Sequence, residues 1–120
     1  MSFNWLYSLV TGARVLDMGS GLNLYYTSII NSGFYRLAPD DLTFNNYMLL
    51  ASYAHKMRIH FKEISWREED QVSNAKLFKQ AYRLICFLFQ YSLSREKFIN
   101  NDFREIIRNS YKYSIIYQNK

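Results

Sequence analysis

The sequence predicts an all-α fold, on three observations. Apolar residues recur at intervals of three and four along most of the chain, the spacing that lines one face of a helix. Strict alternation of apolar and polar residues, the mark of a half-buried strand, is scarce. The single proline and the four glycines fall between the periodic segments, where helix breakers belong. Five helices are expected, at about 2–11, 22–32, 44–65, 72–93 and 103–117, joined by loops in an extended arrangement rather than a compact bundle.

Each element has its own signal. Residues 2–11 (SFNWLYSLVT) form a short helix stopped by Gly12, and Gly19 and Gly21 interrupt the next stretch. Leu22, Tyr25, Tyr26, Ile29 and Ile30 then share one helical face, with Gly33 as the stop. In YRLAPDDLTFNN, Pro39 forces an extended residue before it and Asp40 and Asp41 favour turns, so this is a loop. From Phe44 to Trp66 the set Tyr47, Leu50, Ala51, Ala54, Met57, Arg58 (through its stem) and Phe61 keeps helical spacing. REEDQVSN is a polar break. The helix at 72–93 has the strongest pattern: Leu77, Phe78, Ala81, Tyr82, Ile85, Leu88 and Phe89 form a wide stripe, and across 84–89 every side is apolar. A helix apolar all round is covered all round, by its own chain or by another. SREKFINND reads as a bend, with Asp102 as N-cap of a last helix from Phe103.

Composition narrows what such a fold does. The chain has 120 residues, 49% of them hydrophobic, enough for one domain that buries roughly 65% of its unfolded surface. Eleven Tyr, nine Phe and two Trp are many for a core of this size, so some rings belong on a surface that another subunit covers. Fifteen Lys and Arg against ten Asp and Glu give a net charge of +5, which favours an acidic protein face, anionic lipid or nucleic acid. Cys86 is the only cysteine and lies in the apolar run LICFLF, which reads as a buried small hydrophobe in a reducing compartment. No secretory signal is visible. That six-residue run, Leu84–Phe89, is the longest uninterrupted apolar stretch, against the roughly 20 residues that cross a bilayer.

The motifs that could carry chemistry are weak. RVLDMGSG, residues 14–21, looks like a nucleotide-binding turn, but such a turn needs a preceding strand, an alternating βα chain and an acid for the ribose about 20 residues on. None of these is evident, and the glycines more simply separate two short helices. His55 and His60 are five apart, unlike the i, i+4 pair that holds a metal on a helix. Asp40 and Asp41 have no nucleophile or base nearby and read as turn or ion-pair residues. We therefore expect no catalytic, cofactor-binding or metal-binding residue. The bases are better ordered: Lys76, Lys79 and Arg83 line one helix face, and Arg104, Arg108 and Lys112 another. They suit a solvated face, an acidic protein or anionic lipid at a bilayer surface. Nucleic acid is not expected, because the rings fall at core spacing rather than between the bases as a stacking platform requires.

Two stretches resemble the small helical subunit 7 family of ubiquinol–cytochrome c reductase (respiratory complex III, cytochrome bc1). In NAKLFKQAYRLICFLFQYSLSREKF, residues 74–98, the positions Asn74, Lys76, Leu77, Phe78, Lys79, Leu84, Leu88, Leu93, Arg95, Glu96 and Phe98 fall in the family's register without gaps, with Ser94 in place of the usual proline. GFYRLAPDDL, residues 33–42, looks like the family's loop leading to paired aspartates, and Trp5-Leu6 and Tyr25-Tyr26 fit loosely. Between Leu42 and Asn74 the chain is longer and more apolar than the family.

The resemblance implies a non-catalytic accessory subunit, peripheral to the mitochondrial inner membrane on its matrix side. It would pack against cytochrome b and the core subunits, have no cofactor of its own, meet anionic lipid such as cardiolipin, and be needed for assembly. Residues 1–43 would dock on the partner and 44–120 would form the helical body. Asp40, Asp41, Arg36, Arg83, Arg104 and Arg108 are the expected partner contacts. A second resemblance, of AYRLICFLF followed by FREIIR to the Leu-Tyr-Arg adaptors, implies binding of acyl carrier protein, although Ala81 stands where Leu belongs. A basic subunit of a ribonucleoprotein is the third alternative.

Overall fold

The computed structural model describes residues 4–18, 22–65, 77–106 and Ser114. Among these the chain is helical wherever it is regular, and no strand occurs. Five helices are present: α1 (Asn4–Thr11), α2 (Thr27–Asn31), α3 (Phe44–Ala54), α4 (Leu77–Leu93) and α5 (Arg95–Asn100), with a 3-10 turn at Phe34–Leu37 between α2 and α3. The expected extended arrangement is not what forms. α5 lies against α4, α3 and the 3-10 turn, and α1 lies against α4, so the helices close on one core as a compact globule.

Residue chemistry explains the ends that match the sequence. Gly12 follows α1 at φ +71°, and its N–H bonds Ser8 O at 3.0 Å. Gly33 follows α2 at φ +73°. Both positions are left-handed, where a Cβ is disfavoured. Ala38, before the buried Pro39, is extended at ψ 151°, as a residue preceding proline must be.

Four expectations are corrected. The helix expected over 22–32 forms only at Thr27–Asn31; residues 22–26 are irregular, and Tyr26 is extended at ψ 141°. Leu22, Leu24 and Tyr26 stay exposed, so the apolar spacing there has no surface to cover, and the β-branched Thr27, Ile29 and Ile30 add little helix propensity. The helix expected over 44–65 stops at Ala54. His55 is its C-cap, Lys56 takes the left-handed conformation at φ 57°, and two reverse hydrogen bonds close the end: Lys56 N–H to Tyr53 O and Met57 N–H to Ser52 O, each 3.0 Å. This is a Schellman motif with lysine at the position glycine usually holds.

The segment expected to bend contains α5 instead. Ser94 is the N-cap of α5: its backbone is extended and its Oγ accepts from Lys97 N–H at 3.3 Å. The helix expected from Phe103 does not begin there. Phe103 N–H donates to Leu37 O at 2.9 Å, which ties the strand-like backbone after α5 to the 3-10 turn. Asp102 Oδ1 accepts from Arg104 N–H at 3.1 Å, a local turn that competes with helix. Residues 103–106 are accordingly irregular, and the rest of that expected helix lies outside the described residues, apart from the non-helical Ser114.

The core is aromatic. Phe98 of α5 stacks on Tyr47 of α3 with centroids 5.4 Å apart, and meets Phe87 at 6.1 Å and Tyr91 at 5.7 Å edge-on. Phe103 completes the cluster, 5.0 Å from Phe87, 5.2 Å from Phe98 and 5.4 Å from Tyr47. Edge-to-face and offset contacts of this kind are each worth about 0.5–1.5 kcal/mol beyond their buried area. Tyr7, Met48, Leu50, Ala51 and Leu88 fill the remainder.

Candidate interaction face on the long helix

α4 is apolar on two sides, and the core uses only one. Leu84, Phe87, Leu88 and Tyr91 point inward and are buried. Phe78, Tyr82, Ile85, Phe89 and Leu93 point outward, at exposures of 90%, 69%, 49%, 64% and 70%. The stripe expected from the sequence thus divides. Of its members, Leu88 is buried, while Phe78, Tyr82, Ile85 and Phe89 face out. Periodicity found the helix but could not tell which apolar face the chain itself would cover. At about 100° per residue, the five outward side chains lie within roughly 80° of one another around the axis. They run about 22 Å along it at 1.5 Å per residue. Isolated exposed leucines are ordinary, but an aligned row of large apolar side chains is a candidate interaction surface.

Cys86 stands beside this row, half-buried, and its interaction with the Tyr82 side chain raises the phenol pKa. At the Leu93 end the row runs into a shallow groove lined by Gln90, Leu93, Ser94, Lys97, Phe98 and Asn101. A second hollow lies between the 3-10 turn and the ends of α3 and α5, lined by Gly33, Phe34, Leu37, His55, Met57 and Ile99.

The charged residues singled out in the sequence are largely engaged within the chain. Arg83 forms an ion pair with Asp41 and another with Glu105 at 2.8 Å. Asp41 Oδ1 also accepts from Thr43 N–H at 2.9 Å and from the Thr43 hydroxyl. Partial burial works to raise the Asp41 pKa, but the bonds from Thr43 and the charge and bond of Arg83 outweigh it, and the net shift is downward. Arg83 therefore joins the 40–43 loop, α4 and the segment after α5. Asp40 is exposed, and its Oδ2 lies 3.5 Å from Ile106 N–H. Arg104 grips Asp102 in a two-pronged pair, Nε–Oδ1 2.8 Å and Nη2–Oδ2 2.5 Å, and these bonds hold the Asp102 carboxyl down at about 2. Arg36 sits in the 3-10 turn, exposed, with its N–H bonded to Gly33 O. Lys79 is exposed on α4, while Lys76, Arg108 and Lys112 lie outside the described residues.

Residues 13–18 form no strand. Val15 is buried, its N–H bonded to Ser8 Oγ at 2.9 Å, and Asn46 Nδ2 donates to Met18 O at 2.8 Å, so this stretch packs over α1 and α3. Gly19 and Gly21 lie outside the described residues. His55 caps α3 with its ring edge-on to Phe34 at 5.7 Å, and His60 lies beyond the end of that helix. Among the described residues, no three His, Cys, Asp or Glu side chains gather as metal ligands would, and no helix is long and apolar enough to cross a membrane. Compared with protein-family models, curated proteins and solved structures, the chain matches none.

Proposed function

We propose that this chain is a non-catalytic structural subunit, held in a larger assembly by the outer face of α4. The observation that carries the reading is the row Phe78, Tyr82, Ile85, Phe89 and Leu93, five large apolar side chains that the fold leaves in water. Covering each would contribute roughly 1.5–3 kcal/mol, enough in sum to offset much of the entropy lost on association.

The assembly we propose is respiratory complex III, with the chain on the matrix side of the mitochondrial inner membrane against cytochrome b and the core subunits. The resemblance of residues 74–98 and 33–42 supports this. In the matched register Leu84, Leu88 and Phe98 are core residues, and Phe78 and Leu93 belong to the outer row, so the likeness spans both faces of α4. The fold departs from the resemblance in one respect. Asp41 and Arg83 are bound to each other, so the outer row of α4, rather than these charges, is the principal docking element.

The test is purification of the tagged full-length chain from its own cells in mild detergent. The expected result is co-elution with b- and c-type haems in reduced-minus-oxidised spectra and with ubiquinol oxidation. Co-elution instead with an acylated carrier protein, or with RNA, would replace complex III by one of the two alternatives. A chain that elutes alone, folded and monomeric, would overturn the reading altogether.

A further inference from the structure

We infer that the outer row of α4 is covered by a single α-helix of a partner protein, laid lengthwise along it, with apolar residues at matching three- and four-residue intervals and carboxylates on its flank. This rests on the reading of the chain as an assembly subunit and adds the shape and charge of what binds it.

Spacing argues for a helix. From Phe78 to Phe89 the row steps by four, three and four, eleven residues in three turns, or about 3.67 per turn. That is close to the 3.6 of the helix itself, so these four side chains run nearly straight along the axis, with Leu93 set off by about 40° from Phe89. A helix that meets a broad surface shows an apolar arc of 100° or more, whereas a narrow seam is the pattern of helix paired with helix. Ile85, the least exposed member, sits in the middle of the row, where a pairing helix would be most enclosed.

Charge argues for the flank, and against a second copy. α4 holds Lys79 and Arg83 and no acid. Arg83 is taken up by Asp41 and Glu105, which leaves Lys79 beside Phe78 at one end of the row. Lys97 lines the groove at the Leu93 end; Arg95 lies over the Tyr91 ring at 5.3 Å, and Glu96 is the one acid of α5. Among the described residues, bases thus predominate at both ends. Two copies of α4 paired in either direction would bring lysine near lysine, whereas an acidic flank would complement both ends.

The test places a photo-crosslinking phenylalanine analogue at Phe78, Tyr82 or Phe89 of the full chain in its native assembly, with the exposed Leu24, outside α4 in sequence, as a control. The inference expects adducts on one partner segment, spaced by three and four residues in register with the three probes and bordered by Asp or Glu. Lys79→Glu with Lys97→Glu should then lower the incorporated fraction roughly tenfold while leaving the circular dichroism of the isolated chain unchanged. Adducts to lipid, to α4 of a second copy, or scattered without period over several segments would overturn it. So would an assembled complex in which the three probes give no adduct. Those failures leave the chain inside its assembly, whereas failure of the parent reading appears as a chain that co-purifies with nothing.

Discussion

Lys56 occupies a left-handed backbone position that costs an L-residue roughly 1–2 kcal/mol, and no side-chain interaction of the ε-ammonium is needed to explain why α3 ends there. The two reverse hydrogen bonds of the Schellman motif do that work through backbone alone. Lys56→Gly removes the Cβ conflict while giving back part of the gain through a more flexible unfolded chain. The expected net effect is a stabilisation of about 0.5–1 kcal/mol, read as a higher urea midpoint with unchanged slope. Three tyrosines make the opposite case. The hydroxyls of Tyr7, Tyr47 and Tyr91 are buried with no hydrogen-bond partner among the described residues, and burial pushes the Tyr7 phenol far above its ordinary value. A buried hydroxyl without a partner costs about 1–3 kcal/mol relative to the apolar isostere. Tyr7→Phe should therefore raise stability by about 1 kcal/mol, and a loss of stability on denaturant titration would show that the hydroxyl is bonded after all.

At the scale of elements, the Asp41–Arg83 pair links the loop before α3 to α4 across 42 positions of sequence, and this sets a pH dependence. The folded carboxyl titrates below its ordinary value of 3.8, so its contribution is fully present above about pH 4 and is lost as the pH falls through the lowered value. Asp41→Asn should cost about 1 kcal/mol at pH 7, a modest figure because the pair is part-exposed. The gap between variant and parent should close as unfolding is measured at successively lower pH below 4. A gap that persists at low pH would mean that geometry, not charge, holds the loop. Neither partner of this pair could be matched to the other from the sequence, where Asp41 read as a turn or ion-pair residue and Arg83 as part of a basic stripe. Other elements were legible. α1 and α4 follow from periodicity, and Gly12, Gly33 and Pro39 act where breakers should. What escaped had no local signal. Lys56 adopts a conformation usual for glycine, α5 is only six residues long, and the helix expected at Phe103 gives way to a hydrogen bond with Leu37, 66 positions earlier. The candidate face was half legible: a stretch of α4 apolar on every side, 84–89, implied two covered sides, but only packing distinguishes the one facing Tyr47 and Phe98 from the one facing water.

The whole molecule therefore has two apolar surfaces of α4 with opposite consequences, and mutation should separate them. Phe98 touches Tyr47, Phe87, Tyr91 and Phe103 and is 1% exposed, so Phe98→Ala leaves a cavity at the junction of three elements. A loss of about 3–5 kcal/mol is expected, a large share of the 5–15 kcal/mol available to a domain. Phe78 and Phe89 are of the same chemical type on the adjoining α4, yet they contribute little to the isolated fold because water already surrounds them. Phe78→Ser with Phe89→Ser should move the unfolding free energy of the isolated chain by no more than about 0.5 kcal/mol per site. The same double variant should lower the binding of a hydrophobic fluorescent dye and the tendency to self-associate, since it breaks the one aligned apolar row on α4. Within cells it should fail to incorporate. If the double variant instead unfolds as readily as Phe98→Ala, the outer row is part of this chain's own core, and the division of α4 into an inner face for folding and an outer face for assembly is wrong.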